Sequence, residues 1–232
     1  LGFLLFDLCV LLLTYLLRAL FGYGEDFRTY LQFWTCTDSA HYLDIARDWY
    51  LSEGSMDRLV QLVFLPGYPL AIRLVNLLVG DMLCAGLLVS ALSFAGAGWV
   101  IYRLVRLDRS HEDALRVLKY LCLMPGAFFF AAPMSESLFL LLCASCVYCA
   151  RRDKWLAAGI LGALASFTRS LGLMLFVPLF FELVSALVKG KGPARPVWRF
   201  LSLLLIPLGF AAYCGVNFLV AGDPFQFMEY QA

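Results

Sequence analysis

Hydrophobic residues run through this chain in long blocks separated by short polar connections. Blocks at roughly 1–22, 82–102, 116–132, 136–150, 155–168, 171–188 and 198–221 approach the about 20 apolar residues that a helix needs to cross a bilayer, or the shorter lengths tolerated where helices break or shield one another. They predict an all-α polytopic membrane protein, a bundle of about seven transmembrane helices. The block over 62–79 differs, because Pro66, Pro69, Arg73 and Asn76 interrupt it. That pattern suits an interfacial or re-entrant helix better than a lipid-exposed crossing. The stretch 155–188 is too long for one span, about 50 Å at 1.5 Å per residue. A break near Thr168–Ser170 is therefore predicted, leaving Arg169 at the outer end of a pair of short helices. The first block is longer than a signal-peptide core and has no small-residue cleavage site, so it is expected to be a transmembrane helix. No tandem repeat, low-complexity run or soluble domain is visible, and 1–232 is expected to form a single transmembrane domain.

Charge placement orients the bundle. Arg103, Arg106, Arg109, Arg116 and Lys119, then Arg151, Arg152 and Lys154, then Lys189, Lys191, Arg195 and Arg199 account for twelve of the 18 basic residues. By the positive-inside rule their connections lie in the cytosol. The segment 24–61 carries Glu25, Asp26, Asp38, Asp44, Asp48, Glu53 and Asp57 against Arg28, Arg47 and Arg58, which assigns 24–80 to an external loop with interfacial helices. Counting 62–79 as a full span would put the basic 103–119 segment on the wrong side.

Composition agrees: 62% of residues are hydrophobic, 15% are charged, and mean hydropathy is +0.80, far from an ordinary soluble domain. The net charge of +1 offers no surplus for a nucleic-acid backbone, which excludes nucleic acid as a partner. Seven of the eight cysteines lie in apolar runs, where cysteine packs as a small hydrophobe; only Cys36 sits in a polar stretch. Cys143, Cys146 and Cys149 follow one helical face without a His or carboxylate at zinc-site spacing, so no metal is expected there.

Chemistry concentrates on the external side. Trp34 to Ala46 reads as a helix beginning near Thr35–Asp38, with Tyr42, Ile45, Ala46 and Trp49 in one apolar stripe and Asp44, Arg47 and Asp48 opposite. Asp38 falls on the stripe side, three residues before His41. It serves either as a general base raised in pKa by its surroundings or as a helix N-cap. His41 alone is a structural hydrogen-bonder. Glu136 sits where two spans meet, as a functional acid or as a first-turn partner of the helix dipole. Arg169 offers bidentate geometry for phosphate or carboxylate, or a structural pairing with Glu136. Arg73 reaches a lipid headgroup phosphate or snorkels. Asp7 and Glu182 read as packing or interface residues. Together these groups suit a reaction between a lipid-borne phosphate ester and a hydroxyl acceptor.

Five stretches carry a family resemblance. Asp38-Ser-Ala-His41-Tyr42-Leu-Asp-Ile45-Ala46, Phe64-Leu-Pro66-Gly-Tyr68-Pro69-Leu70, Ser135-Glu136-Ser137-Leu138-Phe139, Thr168-Arg169-Ser170-Leu-Gly172 and Gly222-Asp223-Pro224-Phe225 resemble, in order, the PIG-V mannosyltransferase family of the GT-C superfamily. The resemblance departs at Thr37, where the family usually has Trp, and at Leu171, where it often has Asn. It implies a GT-C-like fold in a chain longer than 232 residues, lacking here its C-terminal part. It implies an inverting membrane mannosyltransferase whose partners are a polyprenyl- or dolichyl-phosphate-mannose donor, a lipid-linked, GPI-precursor-like glycan acceptor and the bilayer. Asp38 would be the catalytic base; His41, Tyr42, Arg73, Glu136 and Arg169 would bind substrate. An arginine clamp suffices for a lipid monophosphate leaving group, so neither cofactor nor metal is expected. The expected membrane is the plasma membrane in a bacterium or the endoplasmic reticulum in a eukaryote. Neither Asn76 nor Asn217 opens a glycosylation sequon, which favours the bacterial setting. Two alternatives remain: a transporter or scramblase, which would gather charge at the midplane in two related halves, and a non-catalytic subunit of the same fold.

Overall fold

The computed structural model describes residues 2–23, 26–35, 37–51, 57–188 and 196–230. Glu25, Cys36, Glu53, Lys189, Lys191 and Arg195, which entered the charge and cysteine reading, lie outside the described residues. Every regular element described is helical. In chain order these are α1 Gly2–Leu20, α2 Phe27–Gln32, α3 Asp38–Asp48, α4 Asp57–Val60, α5 Gly67–Val79, α6 Met82–Val105, α7 His111–Leu123, α8 Glu136–Arg151, α9 Trp155–Thr168, α10 Phe176–Val188, α11 Pro196–Leu203 and α12 Leu205–Ala221.

The expectation of about seven spans is corrected. Among the described residues three helical stretches are long and apolar enough to cross a membrane: Gly2–Leu20, Met82–Val105 and, with α11 and α12 taken together across Leu204, Val197–Ala221. The other blocks are short or broken: α8 is continuous but has only 16 residues. The block at 116–132 loses its helix at Leu123, before Met124-Pro125-Gly126, and continues as a 3-10 turn over Ala127–Phe130. The predicted break in 155–188 is present, since α9 ends at Thr168 and Arg169 is extended. The 14 residues of α9 span only about 21 Å at 1.5 Å per residue, short of a hydrocarbon core of about 30 Å. Likewise α5, with 13 residues, is a separate short helix, in keeping with its prolines.

The chain divides into two compact units. The first holds residues 1–52 and 68–141. Here α1 packs along α6 through close approach at Gly98, where an added Cβ would lie 2.2 Å from the Phe3 ring. Phe3 meets Phe94 edge-on at 4.7 Å, and Phe94 stacks on Phe130 at 4.6 Å. Asp7 is buried on this side of α1, and neither of its carboxylate oxygens has a hydrogen-bond partner among the described residues. The opposite side of α1 shows Leu5, Leu8, Leu12, Leu13 and Leu16, the arrangement of a helix facing lipid. Tyr30 docks α2 onto α1: its hydroxyl donates to the Leu11 carbonyl at 2.6 Å and accepts from Trp34 Nε1 at 3.0 Å.

The second unit holds residues 53–67 and 142–232. Its centre is the pair α9 and α12, brought together by glycines. On α12, a Cβ at Gly209 would lie 2.0 Å from the Ala163 carbonyl oxygen of α9, and on α9 a Cβ at Gly159 would lie 2.0 Å from the Ser202 carbonyl oxygen of the neighbouring α11. Small residues let membrane helices touch backbone to backbone, where van der Waals packing replaces the hydrophobic effect. Ser166 spans the seam, donating from Oγ to the Ile206 carbonyl at 2.6 Å. Beside it, Cys146, Ala158, Leu179, Leu183, Leu203 and Ile206 form a buried apolar cluster, and Cys146 donates from Sγ to the Ala158 carbonyl. This packing role answers the apolar setting of that cysteine.

Candidate active site

Helix α3 begins at Asp38, as its sequence predicts, and ends at Asp48. Both boundaries are sharp because Thr37 and Trp49 adopt positive φ, 56° and 59°, a region costly for residues with a Cβ. Ser39, Tyr42, Leu43, Ile45 and Ala46 are buried, whereas Arg47 and Asp48 are exposed. Tyr42, Ile45 and Ala46 of the predicted stripe thus lie on the buried face, whereas Trp49 stands beyond the helix end and is half-buried.

Asp38 departs from expectation. It is exposed, not turned into the protein. The helical wheel places it on the stripe, but a residue in the first turn has no preceding turn to cover it. Nor is it the N-cap: that position belongs to Thr37, which makes no side-chain capping bond. The carboxyl therefore stands at the open end of a helix whose other face is anchored. His41 lies half-buried one turn along.

The anchor runs through Tyr42. Its hydroxyl shares a 2.9 Å hydrogen bond with Ser135 Oγ, across 93 residues of sequence, and its ring meets Tyr68 edge-on at 5.3 Å. The Tyr68 hydroxyl donates to the Gly86 carbonyl at 3.0 Å and shares a 2.7 Å bond with Ser90 Oγ. Ser90 reaches the Met134 carbonyl at 3.4 Å, and Ser137 Oγ donates to the Phe130 carbonyl at 2.7 Å. Buried hydroxyls satisfied in this way fix rotamers and backbone together. Glu136, the first residue of α8, is half-buried between Ser135 and Ser137 in sequence. The first and third motifs of the chain are therefore joined in one polar network.

Arg73 has a different occupation from that expected of a phosphate ligand. Its Nε donates to the Ala46 carbonyl at 2.5 Å and its Nη2 to that of Arg47 at 3.0 Å, while its guanidinium lies 5.5 Å from the centre of the Trp49 ring. It caps the C-terminal end of α3, where last-turn carbonyls and the helix dipole favour a cation. The helix is thus held at its middle by Tyr42 and at its far end by Arg73.

In the second unit, Arg169 follows α9 in extended conformation, with φ −148° and ψ 138°. Its N–H donates to the Ala165 carbonyl at 2.9 Å, and its carbonyl accepts from Gly172 at 2.8 Å. The side chain is half-buried. Gly172 and Gly67 show why these motifs contain glycine. A Cβ on Gly172 would lie 2.3 Å from the Ser166 nitrogen, and one on Gly67 would lie 2.3 Å from Thr168 Oγ1. The Phe64–Gly67 turn thus rests directly on the residue before Arg169, a pairing that neither motif announces alone. The fifth motif closes α12: Gly222 takes φ 81°, and Asp223 Oδ1 accepts from the Phe225 N–H at 2.8 Å. Tyr213 then donates to the Leu62 carbonyl at 2.5 Å.

Among the described residues, no three His, Cys, Asp or Glu side chains are placed to hold a metal ion. Searches among curated proteins and among solved structures return no match. The model of the family described as mannosyltransferase (PIG-V) matches residues 24–230, a stretch that includes all five motifs and nearly the whole chain, and the chain belongs to that family.

Proposed function

We propose that this protein transfers mannose from a polyprenyl- or dolichyl-phosphate-mannose donor to a lipid-linked glycan acceptor on the non-cytosolic face of its membrane. Family membership supports mannosyl transfer, and the long apolar helices suit substrates that arrive in a bilayer. The observation that carries the site assignment is Asp38: an exposed carboxyl at the free end of a helix locked by Tyr42–Ser135 and by Arg73. A carboxylate that is open to substrate yet rigidly carried is what a general base requires.

In this reading Asp38 takes the proton from the acceptor hydroxyl, and the oxygen attacks the anomeric carbon of mannose. The bond from that carbon to the phosphate oxygen breaks with inversion, and the lipid phosphate departs carrying the electron pair. Arg169 holds the departing phosphate with its permanent charge. His41 and Glu136 orient the acceptor, and Tyr42 keeps their helices in register. Arg73 acts through α3 as a positioning residue. The acidic loop supports the non-cytosolic leaflet as the transfer face, which is the outer leaflet of the plasma membrane in a bacterium and the lumenal leaflet of the endoplasmic reticulum in a eukaryote.

The test is transfer of label from lipid-linked mannose to a panel of inositol-lipid acceptors by the purified protein. Asp38→Asn is expected to lower turnover by about 100-fold or more with thermal stability unchanged, since the side chain is exposed. Full turnover in that variant would remove Asp38 from the base role. Arg169→Ala is expected to raise the KM for donor more than that for acceptor; the reverse would reassign the arginine to the acceptor.

A further inference from the structure

The second unit contains a cavity of about 520 Å³ that the transfer reaction does not use, lined by Asp153, Lys154, Trp155 and Leu156 with Trp198 and Arg199. It lies at the turn from α8 to α9 and the start of α11, within two of the basic segments that the positive-inside rule assigns to the cytosol. Its volume falls in the range of small-molecule sites, about 300–1,000 Å³.

The walls are fixed by one ion pair. Asp153 adopts φ 63°, and its carboxylate accepts from Arg199 Nη2 of α11 at 2.7 Å. Trp155 Nε1 donates to the same carboxylate at 2.8 Å, and the Arg199 guanidinium lies 5.6 Å from the centre of the Trp155 ring. The carboxylate accepts both bonds and matches the charge of Arg199, while remaining 64% exposed. Among the described residues of the lining, Lys154 is then the cation without an ion pair, and it is exposed. Arg152, also exposed, precedes the turn. Around this charge the surface is apolar: Leu156 is 49% exposed, Val197 70% and Trp198 58%. Tryptophan beside lysine on an apolar helix end is the composition of a membrane–water interface.

A cation at the mouth of an aromatic cavity, flanked by greasy surface, complements one kind of molecule: an anionic head on apolar chains. We propose that this cavity binds an anionic phospholipid of the cytosolic leaflet, its headgroup phosphate on Lys154, its glycerol end between Trp155 and Trp198, and its acyl chains along Leu156 and Val197. The proposal is independent of the transferase reading.

The experiment uses the purified chain in neutral detergent, titrated with phosphatidylglycerol or phosphatidylcholine carrying brominated acyl chains, with tryptophan quenching as the signal. Subtracting the same titration of Trp198→Phe isolates the cavity. Phosphatidylglycerol is expected to quench at lower concentration than phosphatidylcholine, and Lys154→Gln to weaken phosphatidylglycerol about five-fold, the worth of one interfacial cation, while Lys154→Arg retains it. Both replaced side chains are exposed, so the variants fold. Equal quenching by the two lipids, or an unchanged Lys154→Gln, would overturn the proposal. So would displacement of the lipid by millimolar inorganic phosphate, which would make this a site for a free anion.

Discussion

Two glycines on α12 make a paired prediction in which one chemical change has opposite signs. At Gly209 a Cβ would lie 2.0 Å from the Ala163 carbonyl oxygen and 2.5 Å from Ser166 Oγ. Real Cβ contacts essentially never fall under 3.0 Å, so Gly209→Ala forces α9 and α12 apart by about 1 Å. Overpacking of this kind costs about 1–3 kcal/mol. The same retreat stretches the bond from Ser166 to Ile206, a buried hydrogen bond worth about 1 kcal/mol. Alanine's helix preference returns about 1 kcal/mol, leaving a net loss of about 1–3 kcal/mol. Six residues on, a Cβ at Gly215 meets nothing within 4 Å. There only the backbone term acts, and Gly215→Ala gains about 0.5–1 kcal/mol. Thermal unfolding of both variants in one detergent reads the difference. A chain of this size shifts by about 2–4 °C per kcal/mol, so Tm falls several degrees for Gly209→Ala and rises slightly for Gly215→Ala. Shifts of the same sign would refute the backbone contact between these helices.

Arg73→Gln is expected to lower thermal stability by about 1–2 kcal/mol through the uncapped end of α3, and to lower turnover without raising the KM for donor; a raised donor KM at unchanged Tm would make Arg73 a phosphate ligand instead. In a double-mutant cycle, Tyr42→Phe and Ser135→Ala are expected to couple by about 0.5–1.5 kcal/mol, measured by unfolding; additive losses would remove their bond. Asp81, the N-cap of α6, has its pKa lowered, first by accepting the Cys84 N–H at 2.8 Å. A carboxyl lowered on folding contributes fully above its unfolded value, near 3.9, and loses that contribution as pH falls through the folded one. Asp81→Ala should therefore cost about 1 kcal/mol at neutral pH and progressively less in melts below about pH 4.

Local features were legible in the sequence. The onset of α3, its buried stripe and the break before Arg169 follow from periodicity and from the expense of an over-long span, and all three are present. The number of crossings was overread because hydropathy counts residues without seeing where the backbone stops being helical, as at Met124-Pro125-Gly126. Asp38 was placed by a wheel that ignores helix ends. What could not be read is long-range: the Tyr42–Ser135 bond, the seat of Gly67 on Thr168, and the capping of α3 by an arginine 27 residues from Ala46. A glycine inside an otherwise bulky motif was the available signal for the second of these. The first and third leave no local trace.

The bond from Tyr213 to the Leu62 carbonyl has a consequence for how the chain is made. Its partners stand 151 residues apart; at 5–20 residues per second a ribosome needs about 8–30 s to bridge that interval. Throughout this delay the Leu62 carbonyl must wait for the Tyr213 hydroxyl. Newborn copies of this enzyme therefore pass through a vulnerable adolescence, during which an insertion factor or a quality-control protease has first access to the turn that precedes α5.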